Sequence, residues 1–313
     1  MRIGTRGSAL ALAQAKLVAR QIGTGGGEEP EVVVIESGGA RPHGGDKSRW
    51  VAALETALLA GEVDLAVHSA KDVPGELAAG LELLGAPARA PAEDVLIGAS
   101  SLEELPSGAK IGTSSLRRAA QLLAAREDLR IVSMRGNVDT RLRKLREGAP
   151  GEESRAGDGG SLDAIVLASA GLRRLGHEHE IGAVLDPERF VPAPGQGTLA
   201  LQARAGDRAV SEAVEPILDS DTSSCLVAER AVAHALGASC NTPLGAHAAP
   251  AGCGCLLLRA WVGLPDGSQW VLDELLGGFY DPDELGRRVA ARLETAGARE
   301  LLKRAEEMAV ERA

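Results

Sequence analysis

Residues 110–146 read KIGTSSLRRAAQLLAAREDLRIVSMRGNVDTRLRKLR, with eight Arg and two Lys against only Glu127, Asp128 and Asp139, in a chain whose formal charge is −10. A local excess of this kind, inside an acidic protein, suits an anionic ligand better than a general basic surface. Residues 110–112 predict a strand end, Thr113, Ser114 and Ser115 supply helix N-cap hydroxyls, and 116–126 has amphipathic helical spacing. Residues 130–134 predict a second strand, Arg135-Gly136-Asn137 a break, and the stretch to Arg146 a second helix. Two strand-to-helix turns thus bring hydroxyls, backbone N–H groups and Arg117, Arg118, Arg135 and Arg141 to the C-terminal edge of a parallel sheet. Helix N-termini and guanidinium forks there favour carboxylate or phosphate. Arg126, Arg130, Arg143 and Arg146 read instead as solvated helix charges.

A second constellation is His68-Ser69-Ala70-Lys71-Asp72-Val73-Pro74, directly after the apolar run VDLAV. A carboxylate at a cleft mouth, beside Lys71 and opposite the Arg cluster, could move protons or stabilise a cation. Asp72 suits a turn cap before Pro74 equally well, and His68 reads as a packed residue rather than a base. The third candidate is Cys240, in GASCNTPLG, where small neighbours and a proline predict an accessible loop in which a thiolate can act as nucleophile or attachment point. Cys225, Cys253 and Cys255, with His234 or His247, match no zinc spacing, and His177-Glu178-His179-Glu180 reads as a polar turn, so no metal is expected.

The elements that must position these groups follow from periodicity. Residues 2–5, 9–22, 31–36, 50–60 and 63–68 alternate strand and helix signals, giving a βαβαβ unit and a doubly wound α/β lobe. Ligands of such sheets sit beyond the strands' carboxyl ends, where Arg6, Ser8, His68, Ser69, Lys71 and Asp72 all fall. Two Pro-rich breaks, APARAPAED at 86–94 and FVPAPGQG at 190–197, bracket a second α/β set comprising 95–98, the Arg stretch, 163–167 and a helix at 170–175. The chain is expected to cross between two hinged lobes and return, leaving a cleft. Residues 148–161 predict a surface loop. After about residue 218 a helix at 222–236, a loop at 240–245, strands at 255–262 and 269–276, and one long helix from Asp281-Pro282, with Leu285, Val289, Leu293 and Leu301 inward, predict a small α+β domain. The expected division is 1–88 with 197–216, then 89–196, then 217–313.

At 313 residues the chain can hold two or three cores. Its six aromatic residues and acidic balance argue against nucleic acid as partner. The N-terminus lacks a signal-peptide layout and no run is long enough to span a membrane, so no membrane partner and a cytoplasmic location are expected. With no long apolar face left over, the expectation is a monomer.

RIGTRGSALAL, HSAKDVP, GTSSLRR, MRGNVDTRL, ASAGLRRLG, VPAPGQGTLAL and the Cys240 loop occur in the order seen in porphobilinogen deaminases, or hydroxymethylbilane synthases, and the chain resembles that family over nearly its whole length. The resemblance implies two lobes arranged like type-2 periplasmic binding proteins plus a third domain, and a dipyrromethane cofactor joined by a thioether to Cys240. It implies a transferase that condenses four porphobilinogen molecules into a linear hydroxymethylbilane, releasing ammonia each time. Asp72 would be catalytic, helping the amino group leave and stabilising the azafulvene's positive charge. Arg6, Ser8, Lys71, Thr113, Ser114, Ser115, Arg117, Arg118, Arg135, Arg141 and Arg174 would hold acid side chains of cofactor and substrate, with Ser69 and Gln196 bordering the cleft. Lys47 and Trp50 fall at the family's lid. Asp46, Ser48 and Ala238-Ser239 depart from the family's glycines, and the 148–161 connection is longer than usual. A non-catalytic anion binder, or a paralogue that binds tetrapyrroles without turnover, are the competing readings.

Overall fold

The computed structural model of the chain describes residues 1–36, 48–148, 161–238, 242–252 and 254–311; Lys47, Cys240 and most of the 148–161 connection lie outside them. The chain starts with β1 (Arg2–Thr5), α1 (Ala9–Thr24), β2 (Glu31–Val34), α2 (Ser48–Leu59) and β3 (Leu65–Ser69), β1 pairing in parallel with both β2 and β3. After β4 (Leu81–Gly85) it crosses to β5 (Asp94–Ile97), β6 (Lys110–Gly112), α3 (Leu116–Ala125), β7 (Arg130–Val132), α4 (Val138–Arg146), β8 (Ala164–Ala168), α5 (Ser169–Arg174) and β9 (Ala183–Val184). It returns as β10 (Leu199–Arg204) and α6 (Arg208–Val214), then builds α7 (Ser220–Ala235), β11 (Leu244–Pro250), β12 (Cys255–Gly263), β13 (Trp270–Gly278), α8 (Pro282–Thr295) and α9 (Ala298–Glu311).

The first two sheets have the orders β2-β1-β3-β10-β4 and β7-β6-β8-β5-β9. Position for position these are one topology. In each, the strand arriving from the other lobe, β10 or β5, lies antiparallel between the third parallel strand and the edge strand. The fold is the expected pair of doubly wound lobes with a third unit, an antiparallel β11-β12-β13 sheet covered by helices. Among the described residues no helix is long and apolar enough to cross a membrane.

Local chemistry explains most boundaries. Ser8, Ser115, Asn137 and Asp281 cap α1, α3, α4 and α8, each accepting a backbone N–H three residues on. Gly136 takes φ +123 in the turn before α4, where a Cβ would stand 2.9 Å from that of Thr140. The single C-terminal helix expected from sequence is two: Gly297, at φ +100, ends α8 and lets the chain restart as α9, while Leu285, Val289, Leu293 and Leu301 are buried as expected. The strands β4, β9, β10 and β11 carry no local signal strong enough to announce them.

The two crossing segments, 86–93 and 185–198, touch where Ala90 N donates to Gly197 O at 3.2 Å. Gly197 is at φ +85 and a Cβ there would stand 2.2 Å from Ala90 O, so the hinge strands approach as closely as only glycine permits. The third unit docks on the second lobe through its β12–β13 turn, where Gly267 lies against the α3 backbone at Leu123 and Ala124, and through Trp261, buried with Ala120 and Val191. The outer face of β13 leaves Trp270, Leu272 and Leu276 exposed, with Tyr280 beyond it, an apolar strip that sequence reading had not foreseen.

Candidate active site

Arg6 and Asp72 follow β1 and β3, neighbours in parallel, so both lie beyond carboxyl ends of the first sheet. Arg6 Nη2 stands 3.6 Å from Asp72 Oδ2, and the Asp72 side chain keeps 11% of its accessibility. With Gln14, Trp50, His68 and Ser69 they line one recess. Asp72 ends a 3-10 turn closed by backbone, Val73 N donating to Ala70 O at 3.1 Å. Ser69 Oγ accepts from Gln14 Nε2 at 2.8 Å. Gln14, 2% exposed, is a recess-lining position that sequence reading passed over, although a polar side chain in line with Ala11, Ala15 and Val18 was its signal. Trp50 belongs to α2 and reaches this recess.

His68 is a packing residue, as expected. Its ring is 6% exposed with Nε2 3.0 Å from Gln202 Oε1, and burial pushes its pKa down to about 4. An imidazole kept neutral in the fold but free to charge when unfolded contributes stability that is complete above pH 6.5 and lost as pH falls from there to about 4, amounting to about 2–4 kcal/mol. His68→Gln should therefore lose less stability than the parent between pH 7 and pH 4.5 in urea melts. Parallel curves for the two proteins would show that His68 takes up no proton on unfolding.

The second lobe revises the Arg reading. Arg117 and Arg118 are 4% and 8% exposed, and both clasp Asp94 on β5: Arg117 Nη2 to Oδ2 and Arg118 Nη2 to Oδ1, each 2.8 Å. Arg117 also donates to Val191 O at 2.8 Å, and Arg118 to Val166 O at 3.2 Å. Burial alone would raise the Asp94 carboxyl, but the two guanidinium charges, with hydrogen bonds from Arg118 and Gln196, hold it well below the usual carboxylate range. Arg126 is not a solvated charge either: it donates to Leu102 O and Leu105 O at 2.6 and 3.0 Å and pairs with Asp128. Arg143 and Arg146 are exposed, as expected, with surface partners in Glu147 and Glu180. Much of the local positive excess is thus spent on structure.

Of the three hydroxyls after β6, Thr113 is 2% exposed and accepts from Ser115 N, Ser115 caps α3, and Ser114 lies 3.3 Å from Ser133 Oγ near the surface. Arg135 is exposed at the turn before α4, and Arg141, on the helix, donates to Gly136 O at 2.9 Å. The lobes meet at Gly171 of α5, where both Leu10 of α1 and Val138 of α4 come within 3.8 Å of the position a Cβ would take. The capped N-termini of α1 and α4 therefore converge on the cleft. Arg174, also on α5, donates to Gly197 O at 2.7 Å, while its Nε is buried without a partner, and burial pushes its pKa down to about 10. A guanidinium half-satisfied in this way is poised for an anion.

Gln196, expected to border the cleft, is corrected: it is 0% exposed and bonded entirely within the protein. Two further residues emerge only from the structure. Glu229 of α7, also 0% exposed, accepts from Arg89 at 2.7 Å, Gly195 N at 2.6 Å and Ala248 N at 2.7 Å, tying both hinge strands to the third unit. Its neighbour Arg230 donates to Val73 O, Pro74 O and Gly75 O at 3.2, 2.7 and 3.1 Å, gripping the backbone just after Asp72. A cavity of about 300 Å³ lies behind the hinge between Arg89, Glu93, Pro187 and His247 and shares no lining residue with the Asp72 recess.

Residues 1–212 match the family described as porphobilinogen deaminase, dipyromethane cofactor binding domain, and residues 223–295 match porphobilinogen deaminase, C-terminal domain. The chain is 41% identical to the porphobilinogen deaminase of Deinococcus radiodurans, over 96% of this chain and 97% of that one. It is 45% identical to that of Thiobacillus denitrificans, over 82% and 81%. Among solved structures, a periplasmic substrate-binding protein of an ABC transporter from Coxiella burnetii aligns with 69% of this chain and 91% of that one at 15% identity and a TM-score of 0.40.

Proposed function

Because this chain belongs to the porphobilinogen deaminase family, we propose that it condenses four porphobilinogen molecules head to tail into hydroxymethylbilane, releasing ammonia at each addition. The observation that carries the reading is the Arg6–Asp72 pair at the carboxyl ends of adjacent parallel strands, lining one recess with Gln14, Trp50, His68 and Ser69. Porphobilinogen carries an acetate and a propionate beside its aminomethyl group, so each unit needs fixed cations for its acids and one group for its proton traffic.

A covalent dipyrromethane suits these residues, because its acid side chains match the orphaned buried Nε of Arg174 and the donors at both helix N-termini. Lys71, Ser69, Ser114 and Arg118 would hold it, with the thioether at Cys240. Thr113, Ser115 and Arg117 serve from behind by fixing the turn and the Asp94 clasp. When bound, the group supplies the pyrrole carbon to which the first unit joins. Arg6, Arg135, Arg141 and Arg174 take the substrate's carboxylates, Ser8 fixes the α1 terminus beside them, and Trp50, at the recess, is assigned with Lys47 to the lid.

Asp72 acts on the substrate. It accepts the pyrrole N–H, helps the ammonium leave and balances the positive charge that develops on the ring. Arg6, 3.6 Å away, sets a fixed positive charge beside the carboxylate. We place the reaction in the cytoplasm and on a single chain, divided as 1–88 with 197–216, 89–196 and 217–313.

Intact-mass spectrometry tests the reading. The protein exposed to porphobilinogen should carry the mass of two pyrrole units and release ammonia, and Cys240→Ser should carry none. A bare polypeptide that binds small anions reversibly would instead favour a non-catalytic anion binder.

A further inference from the structure

Gly195-Gln196-Gly197, in the strand returning from the second lobe, is touched by charged side chains of every unit. Arg89 Nε donates to Gln196 O at 2.9 Å, Arg174 to Gly197 O at 2.7 Å, and Glu229 accepts from Gly195 N at 2.6 Å. Gly195, at φ +71, lies so near the turn bearing Asp72 that a Cβ would stand 3.0 Å from Lys71 N. In this knot the Gln196 carboxamide is fully used. Its Nε2 donates to Ala92 O at 2.6 Å and Asp94 Oδ1 at 2.8 Å; its Oε1 accepts from Lys71 Nζ at 3.1 Å and Arg118 Nη2 at 3.5 Å.

An amide has two N–H donors on one side and an oxygen with two lone pairs on the other, and here acceptors face the first and cations the second, so only one orientation satisfies it. Lys71 belongs to the first lobe and is the residue before Asp72. Asp94 and Arg118 belong to the second lobe, and Ala92 to the first crossing strand. A single buried side chain therefore spans the hinge from the Asp72 turn to the Asp94 clasp.

We propose that Gln196 is a positioning residue for the condensation: through Lys71 it holds the turn bearing Asp72 in register with the Asp94–Arg118 pair, so that the carboxylate keeps its aim as the lobes accommodate a lengthening chain. This rests on the function proposed above. It differs from a substrate contact, because both ends of the amide are taken by protein partners. It differs from a purely structural bond, because its partners are the neighbour of the acting carboxylate on one side and a cofactor-holding arginine on the other.

The test uses the cofactor-loaded holoprotein. Gln196→Met, of similar length but without the polar ends, is expected to lower kcat by about 10–100-fold, as misplacement of a reacting group by about an ångström does, with KM for porphobilinogen within about threefold and the cofactor mass unchanged. In a Lys71→Met background the same change should cost less than it does alone, since the link is already cut. Gln196→Glu keeps shape and acceptors but turns a carboxylate toward Asp94, and should show the same loss in kcat. Parental kcat in either variant, a loss confined to KM, or full additivity with Lys71→Met would overturn the proposal. If neither variant folds, hydrogen exchange on the unaltered holoprotein decides: substrate should alter protection at 70–73 and 92–97 together, and a change at one segment alone overturns the link. Failure of the parent protein to release ammonia would sink the function itself, a result distinguishable from all of these.

Discussion

Asp72→Asn is expected to lower porphobilinogen turnover by about 10²–10⁴-fold while leaving the cofactor mass on the protein. Asn keeps the size and hydrogen-bonding reach of the side chain but can neither carry a proton nor balance a developing cation. The turn at 70–72 has supports besides the charge: it is closed by Val73 N on Ala70 O and its exit is gripped by Arg230. A cap lost there would cost about 1 kcal/mol of stability and little activity, which separates the capping role from the chemical one. Ammonia release and intact mass measured on the same sample check both halves. Turnover within a few-fold of the parent would leave Asp72 a structural residue and move the chemistry elsewhere.

The largest effect on stability is expected at Asp94. Asp94→Ala leaves Arg117 and Arg118 buried with no counter-charge, and removing one partner of a buried ion cluster costs about 3–5 kcal/mol. The variant should unfold at a much lower urea concentration, with its first lobe's core composition unaltered. The acid side has a defined sign. A carboxyl whose folded pKa is depressed contributes fully above its unfolded value, near 4, and loses that contribution only as the pH falls below it toward the depressed folded value. The gap between parent and Asp94→Ala should thus be constant at neutral pH and narrow only in strong acid. A cost under about 1 kcal/mol would mean that the two guanidinium groups find other partners and that the clasp is dispensable.

What could be read from sequence depended on whether its cause was local. Strand, cap and helix follow one another within a few residues at β1–α1, β6–α3 and β7–α4, and these units stand where periodicity and N-cap chemistry put them. The returning strands have distant causes. β10 is sandwiched antiparallel between β3 and β4 only because the chain has come back from the other lobe, and β11, rich in small residues, is a strand because β12 pairs with it. The same distinction divides the site. The gathering of Asp72, Arg6 and Ser69 at one recess was legible because strand ends in a parallel sheet lie together, while Cys240 and Lys47 lie outside the described residues. The inward turn of Arg117 and Arg118 was not legible, since their partner Asp94 sits on a strand more than twenty residues earlier and only the sheet order brings it beneath α3. Arg126 went the same way, finding its carbonyls in the 102–106 turn.

The adjacency of Glu229 and Arg230 on α7 has a geometric corollary. One residue locks the hinge strands and the next grips the backbone that follows Asp72, while α7 ends at Ala235 in a turn closed by Ala238 N on Ala233 O. A single helix thus carries both the lock on the hinge strands and the grip on the backbone after Asp72, which fixes the spacing between hinge and turn. An oligomer growing by one ring at a time is then expected to be drawn past a stationary workstation, as thread is drawn past a needle that does not move.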